Sequence, residues 1–216
     1  MRSNALILDV DGTIINFFPR HYQIFIDFIS NYKIKGPSYF QYRTKRRAGI
    51  KDEEILQAIG IADKANEFTR FKLNNIEDRK YITYDKLLPK SALTINRLSQ
   101  RSHILLLSSR KKLIILKNEL ERFDISGYSD IILTPKNAKK REVNKVLSWI
   151  KVHTHKKNSL YIGDGQDDAN MATALGLKFI GVTSGITNPY KMKQITNLTA
   201  TNISEFLNKK TYYENL

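Results

Sequence analysis

Three groups of residues could do chemistry together. Asp9 and Asp11 stand two apart in Asp9-Val-Asp-Gly-Thr13, directly after the apolar run Ala5-Leu-Ile-Leu8. Asp164, Asp167 and Asp168 lie in Gly163-Asp-Gly-Gln-Asp-Asp168, directly after Ser159-Leu-Tyr-Ile162. Ser108 and Ser109 follow His103-Ile-Leu-Leu-Leu107. If the strands that carry the acidic groups are neighbours, their carboxylates converge at one sheet edge, where mutual repulsion calls for a cation. The chain has no cysteine, and no histidine lies near the two acidic motifs, so hard oxygen donors favour Mg²⁺ over zinc. Mg²⁺ held by few carboxylates commonly also meets a phosphate.

The elements needed to position these groups are visible as hydrophobic pattern. Short apolar runs bounded by turn residues read as buried strands at Ala5–Leu8, His103–Leu107, Ile131–Leu133, Ser159–Ile162 and Phe179–Val182. Gly12 allows the sharp turn that must follow the first of them. Between the strands, helices are expected from Pro89 to Leu98, Lys111 to Arg122, Glu142 to Val152 and at Met171–Leu175. Strands alternating with helices imply an α/β fold, a parallel sheet covered on both faces. In such sheets ligands bind beyond the carboxyl ends of the strands, where the Asp, Ser and Gly residues gather. Residues 20 to 80 differ. Ile24, Phe25, Phe28 and Ile29 recur at helical spacing, Asp52-Glu-Glu54 reads as a helix start, Gly60 as a stop, and Ala62 to Leu73 as a further helix.

Taken in order, Asp9-Val-Asp-Gly-Thr13, the strand-end Ser108 and Gly163-Asp-Gly-Gln-Asp-Asp168 resemble the first, second and fourth motifs of the haloacid dehalogenase-like hydrolase superfamily. The resemblance covers nearly all of the chain outside residues 20 to 80. It implies a Rossmann-like, doubly wound core formed by residues 1–15 and 87–216. Residues 16–86 would be an inserted helical cap of the C1 type. It further implies that Asp9 is a nucleophile forming an aspartyl-phosphate, and that Asp11 is the acid and base. Mg²⁺ would be held by Asp9, the backbone carbonyl of Asp11, Asp164 and Asp168. Ser108 and the Ser109 amide would bind the phosphoryl group. A motif lysine would add positive charge, with Lys139 favoured over Lys140 by its separation from Gly163. An acid at position 11 implies a phosphatase rather than a dehalogenase. The expected substrate is a small phosphorylated metabolite. A phosphoprotein phosphatase, a phosphomutase and a polyanion-binding protein on the same scaffold are the alternatives.

Composition limits the remaining classes. The 216 residues, 41% of them hydrophobic, suit one or two domains with a sizeable core and exclude a disordered chain. The absence of cysteine removes disulfide frameworks, thiolate metal sites and cysteine nucleophiles. With no long apolar segment and no secretory leader pattern, the expectation is a cytoplasmic protein without a transmembrane helix. The net charge of +15 admits nucleic acid or an anionic membrane as a partner. The excess is spread along the chain, however. Its densest stretch, Lys136 to Lys157, reads as a solvated helix face. Arg43, Lys45, Arg46 and Arg47 read the same way, and the four histidines have no motif partner.

Overall fold

The computed structural model describes residues 4–125, 130–134 and 140–208. The chain divides into two compact units, Met1–Ile15 with Leu87–Leu216, and Asn16–Lys86.

The first unit is built on a parallel sheet. Its strands are β1 (Asn4–Asp9), β4 (Ser102–Ser108), β5 (Asp130–Leu133), β6 (Ser159–Gly163), β7 (Lys178–Val182) and β8 (Thr199–Ala200), in the order β5-β4-β1-β6-β7-β8. Two further short strands, β2 (Ile15–Asn16) and β3 (Lys86–Leu87), form a separate two-stranded ribbon where the chain passes between the units. This is the expected α/β class. The apolar runs have no polar alternation because both sheet faces are covered. Leu6, Leu8, Ile104, Leu106, Leu160 and Ile162 pack on one face with helices α6 (Ser91–Ser99), α7 (Leu113–Arg122) and α11 (Ile203–Asn208). Ile7, Leu105, Leu107 and Tyr161 pack on the other with α8 (Lys140–His153) and α9 (Gln166–Leu175). The solvent side of α8 carries Arg141, Lys145 and Lys151, all exposed. The sheet therefore needs two cores, and residues adjacent in one strand belong to different ones.

β1 lies between β4 and β6, with Asp9 paired to Leu107 and Leu8 to Ile162. The chain leaves β1 toward one side of the sheet and later returns on the other. That reversal opens a crevice at the carboxyl ends of the three central strands. Elements without strong periodicity escape the sequence reading: β2, β3 and β8 are two residues each, and α10 (Pro189–Ile195) follows a loop.

The second unit is helical: α1 (Phe18–Ser30), α2 (Tyr39–Arg47), α3 (Asp52–Ala58), α4 (Ala65–Asn75) and α5 (Arg79–Ile82). Residues Ala62–Lys64, expected to open the helix now seen as α4, form a separate 3₁₀ turn. Its core joins Ile24, Phe25 and Phe28 of α1 to Tyr42, Ile55, Leu56 and Phe68, with Phe25 and Phe28 edge-on to Phe68. Among the described residues no helix is long and apolar enough to cross a membrane.

A buried charge ties α2, α3 and α4 together. Asp52 accepts hydrogen bonds from the Tyr42 hydroxyl at 2.9 Å and from Lys72 Nζ at 2.6 Å, and Arg46 Nε lies 3.4 Å away. Burial alone raises the Asp52 carboxyl, but Lys72, Arg46 and Tyr42 outweigh it and hold it below the ordinary value. A depressed carboxylate stabilises the fold above its unfolded pKa, and that contribution is lost as pH falls through the folded value. Removing one member of a buried ion pair is costly, so Asp52→Asn is expected to lower unfolding stability at pH 7 by about 3 kcal/mol. In urea titrations the gap between mutant and wild type should close as pH is lowered below about 4.

Candidate functional site

β1 ends at Asp9, and the backbone turns at once. Gly12 takes a positive φ of 98°, and a Cβ there would collide with the Asp164 carboxylate. Glycine is thus required twice over, by conformation and by space. The turn is closed by Gly12 N–H donating to the Ile15 carbonyl at 2.7 Å and by Ser184 Oγ donating to the Gly12 carbonyl at 2.7 Å. Gly185 has the same spatial constraint, since its Cβ would also strike Asp164.

Register brings the two acidic motifs together. β1 and β6 are direct neighbours, so Asp9 and Asp164 leave adjacent strand ends. Carboxylate oxygens of Asp9, Asp164 and Asp168 all lie within 4.8 Å of one another. Each is held from behind. The Thr13 hydroxyl donates to Asp9 Oδ2 at 3.3 Å, and the Ile186 N–H donates to Asp164 Oδ2. Asp168 Oδ2 accepts the backbone N–H groups of Asp164 at 2.9 Å and Gly165 at 3.0 Å, and its Oδ1 accepts the Tyr161 hydroxyl at 3.2 Å. Asp168 therefore also caps α9 and orders the loop. Asp167 is exposed at the helix start.

Crowding sets the electrostatics. Burial, followed by the charges of Asp168, Asp164 and Asp11, pushes the Asp9 carboxyl well above the usual range. Burial and Asp168 do the same to Asp164. Asp168 is raised to about 6, mainly by burial, against the lowering effect of its backbone and tyrosine donors. Three carboxylates that resist ionising side by side are a donor set of hard oxygens in need of a cation. Their chemistry fits Mg²⁺.

The remaining expected residues occupy the next strand end. Ser108 closes β4, one residue beyond the Asp9 partner Leu107. It is buried, and its Oγ accepts the Arg110 N–H at 3.3 Å. Ser109 is exposed beside it. Asp11 does not join the carboxylate trio, because its side chain pairs with Arg110 through two hydrogen bonds of 2.8 and 2.6 Å. Lys139 lies outside the described residues, as does Lys136. Lys140 begins α8. Arg110, its buried partner Glu119, Tyr161 and Thr13 were not singled out for the site by sequence. Arg110 directly follows the two serines, but nothing in the spacing marks Glu119 as its partner.

The model of the haloacid dehalogenase-like hydrolase family matches residues 6–182. No curated protein sequence matches the chain. Among solved structures, a haloacid dehalogenase-like hydrolase family protein from Streptococcus pneumoniae superposes with a TM-score of 0.74 at 16% identity, covering 96% of this chain and 98% of that one. A predicted phosphatase from Clostridium acetobutylicum gives 0.69 at 16% identity, covering 97% and 98%. A Bacillus subtilis protein assigned to the same hydrolases and bound to magnesium gives 0.66 at 17%, covering 96% and 98%. At these identities the likeness establishes the fold alone.

The crowding has a measurable consequence. Groups with raised pKa values cost stability as pH rises through those values, unless a cation offsets the charge. At pH 8, with metal removed by chelator, Asp9→Asn should melt about 3 °C above wild type. Added Mg²⁺ should raise the melting temperature of wild type much more than that of Asp9→Asn, as thermal denaturation would read directly.

Proposed function

Because the chain belongs to the haloacid dehalogenase-like hydrolase family, we propose that it is a Mg²⁺-dependent phosphatase acting on a small phosphorylated metabolite through an aspartyl-phosphate on Asp9. The observation that carries this reading is the convergence of Asp9, Asp164 and Asp168 within 4.8 Å, one strand away from Ser108.

Asp9, Asp164 and Asp168 would hold Mg²⁺, which would supply the positive charge that lets a carboxylate and a phosphoryl group share one site. Asp9 then attacks phosphorus. A new O–P bond forms as the ester P–O bond breaks, and the electron pair leaves with the ester oxygen. Asp11 gives that oxygen a proton. In the second half, Asp11 takes a proton from the water that attacks the aspartyl-phosphate, which returns Asp9 and releases phosphate. The Ser108 hydroxyl and Ser109 N–H serve as donors to the phosphoryl oxygens, with Lys139 adding charge. The strongly raised Asp9 carboxyl makes charge neutralisation a condition for the attacking form.

The helical unit Asn16–Lys86 takes the part of a C1-type cap. Such a cap limits the substrate to a size that fits beneath it, excludes water from the aspartyl-phosphate and supplies specificity. Asp11 favours phosphate monoesters over halogenated acids, since an alkoxide leaving group needs a proton and a halide does not.

The test is phosphate release from p-nitrophenyl phosphate with and without Mg²⁺. Wild type should turn over only with the metal, and folded Asp9→Asn should fall by at least about 10³-fold in kcat. Equal turnover in the two proteins would remove Asp9 as the nucleophile.

A further inference from the structure

Arg110 is the second element of an ion chain that ends on Asp11. Its Nε and Nη2 donate to the two oxygens of Asp11 at 2.8 and 2.6 Å. Its Nη1 donates to Glu119 on α7. The Arg110 side chain is 3% exposed and that of Glu119 is wholly buried, whereas Asp11 is 24% exposed. The other Glu119 oxygen lies 3.5 Å from Arg122. At the backbone, Arg110 N–H donates to Ser108 Oγ, so the guanidinium is tied at its root to the end of β4.

This arrangement is directional. A guanidinium meeting a carboxylate through two parallel hydrogen bonds fixes the carboxylate plane as well as its position. The fixed end of the chain is Glu119, buried on a helix. The accessible end is Asp11, two residues from Asp9. One buried acid suffices to neutralise Arg110, so the pairing with Asp11 is additional to what burial of the arginine requires.

We propose that Arg110, anchored by Glu119, is a positioning residue that holds the Asp11 carboxyl group oriented for proton transfer to the leaving oxygen. The proposal rests on the phosphatase reading above. As the Asp9–phosphorus bond forms and the ester bond breaks, the ester oxygen keeps the bonding pair and takes the Asp11 proton. The carboxylate left behind meets an arginine already aligned with it. When water attacks, its proton returns to Asp11 within the same restraint.

The experiment compares kcat/KM for dinitrophenyl, nitrophenyl and phenyl phosphate with Mg²⁺, in wild type and in variants. Arg110→Lys keeps the charge and loses the fork. The double variant Arg110→Met with Glu119→Gln removes both buried charges together, so that neither is stranded. If either protein proves unfolded by circular dichroism, the other decides. Leaving groups that need a proton should suffer most. Phenyl phosphate should lose roughly 10²-fold and dinitrophenyl phosphate only about 3-fold, the pattern expected when general acid catalysis is impaired. Asp11→Asn should show the same slope, and adding Arg110→Lys to it should cost little more, because both changes remove one function. Equal losses on all three esters, unchanged turnover of phenyl phosphate, or losses that add fully to those of Asp11→Asn would overturn the proposal. Absence of Mg²⁺-dependent release by wild type from any of the three would overturn the phosphatase reading, and the proposal with it, before any variant is compared.

Discussion

Mutual repulsion among Asp9, Asp164 and Asp168 is the constraint around which the central part of the fold is arranged. Like charges this close do not gather without something to force them. Here the force is the parallel pairing of β1 with β6, which seats two acidic turns side by side. The apolar packing on both sheet faces supplies the stability that the acidic edge lacks. Glycines at 12 and 185 leave the room that Asp164 occupies. Backbone donors from Asp164, Gly165 and Ile186 hold the carboxylates in place without neutralising them. The result is a cluster of hard carboxylate oxygens suited to a divalent cation.

Two acids from one short motif thereby stand in different surroundings. Asp9 belongs to the carboxylate trio, while Asp11, two residues on, turns to a cation. Their environments differ because the turn at Gly12 sends the chain away from the sheet, toward Arg110 on the neighbouring strand end. One side chain is surrounded by negative charge and the other is paired with positive charge. Under the proposed mechanism, that contrast would let two residues of one type carry out different steps.

Most of the sheet was legible because its signal is local. A run such as Ala5–Leu8 or Leu105–Leu107, buried on both faces, must be apolar at every position, and that is visible without any partner. The convergence of the acidic motifs was legible for a related reason: both sit directly after such runs. The two-residue strands β2, β3 and β8 carry no periodicity, and they exist because a neighbouring backbone offers hydrogen bonds. The pairing of Arg110 with Asp11 and Glu119 joins a strand end, a turn and a helix. No spacing rule connects those three positions, so the pair is a product of tertiary packing alone. Asp168 shows the reverse case. The residue that the family resemblance offers as a metal ligand also caps α9, because it lies three residues after Gly165.

The placement of β1 also shapes how the chain must reach its native state. The strand is made first, yet its partners come late: Asn4 pairs with Ser102, and Ala5 with Ser159. Until both arrive, Ala5–Leu8 is an apolar strand with two open edges, a segment prone to mispairing. The helices from Phe18 to Ile82 form through contacts near in sequence and can assemble early. The ribbon of β2 and β3 holds Ile15–Asn16 beside Lys86–Leu87, so the effective loop between β1 and β4 is shorter than their separation in sequence. The segment that divides the sheet's chain in two thus starts and ends at one ribbon, and leaves only the residues beyond that ribbon to span from β1 to β4.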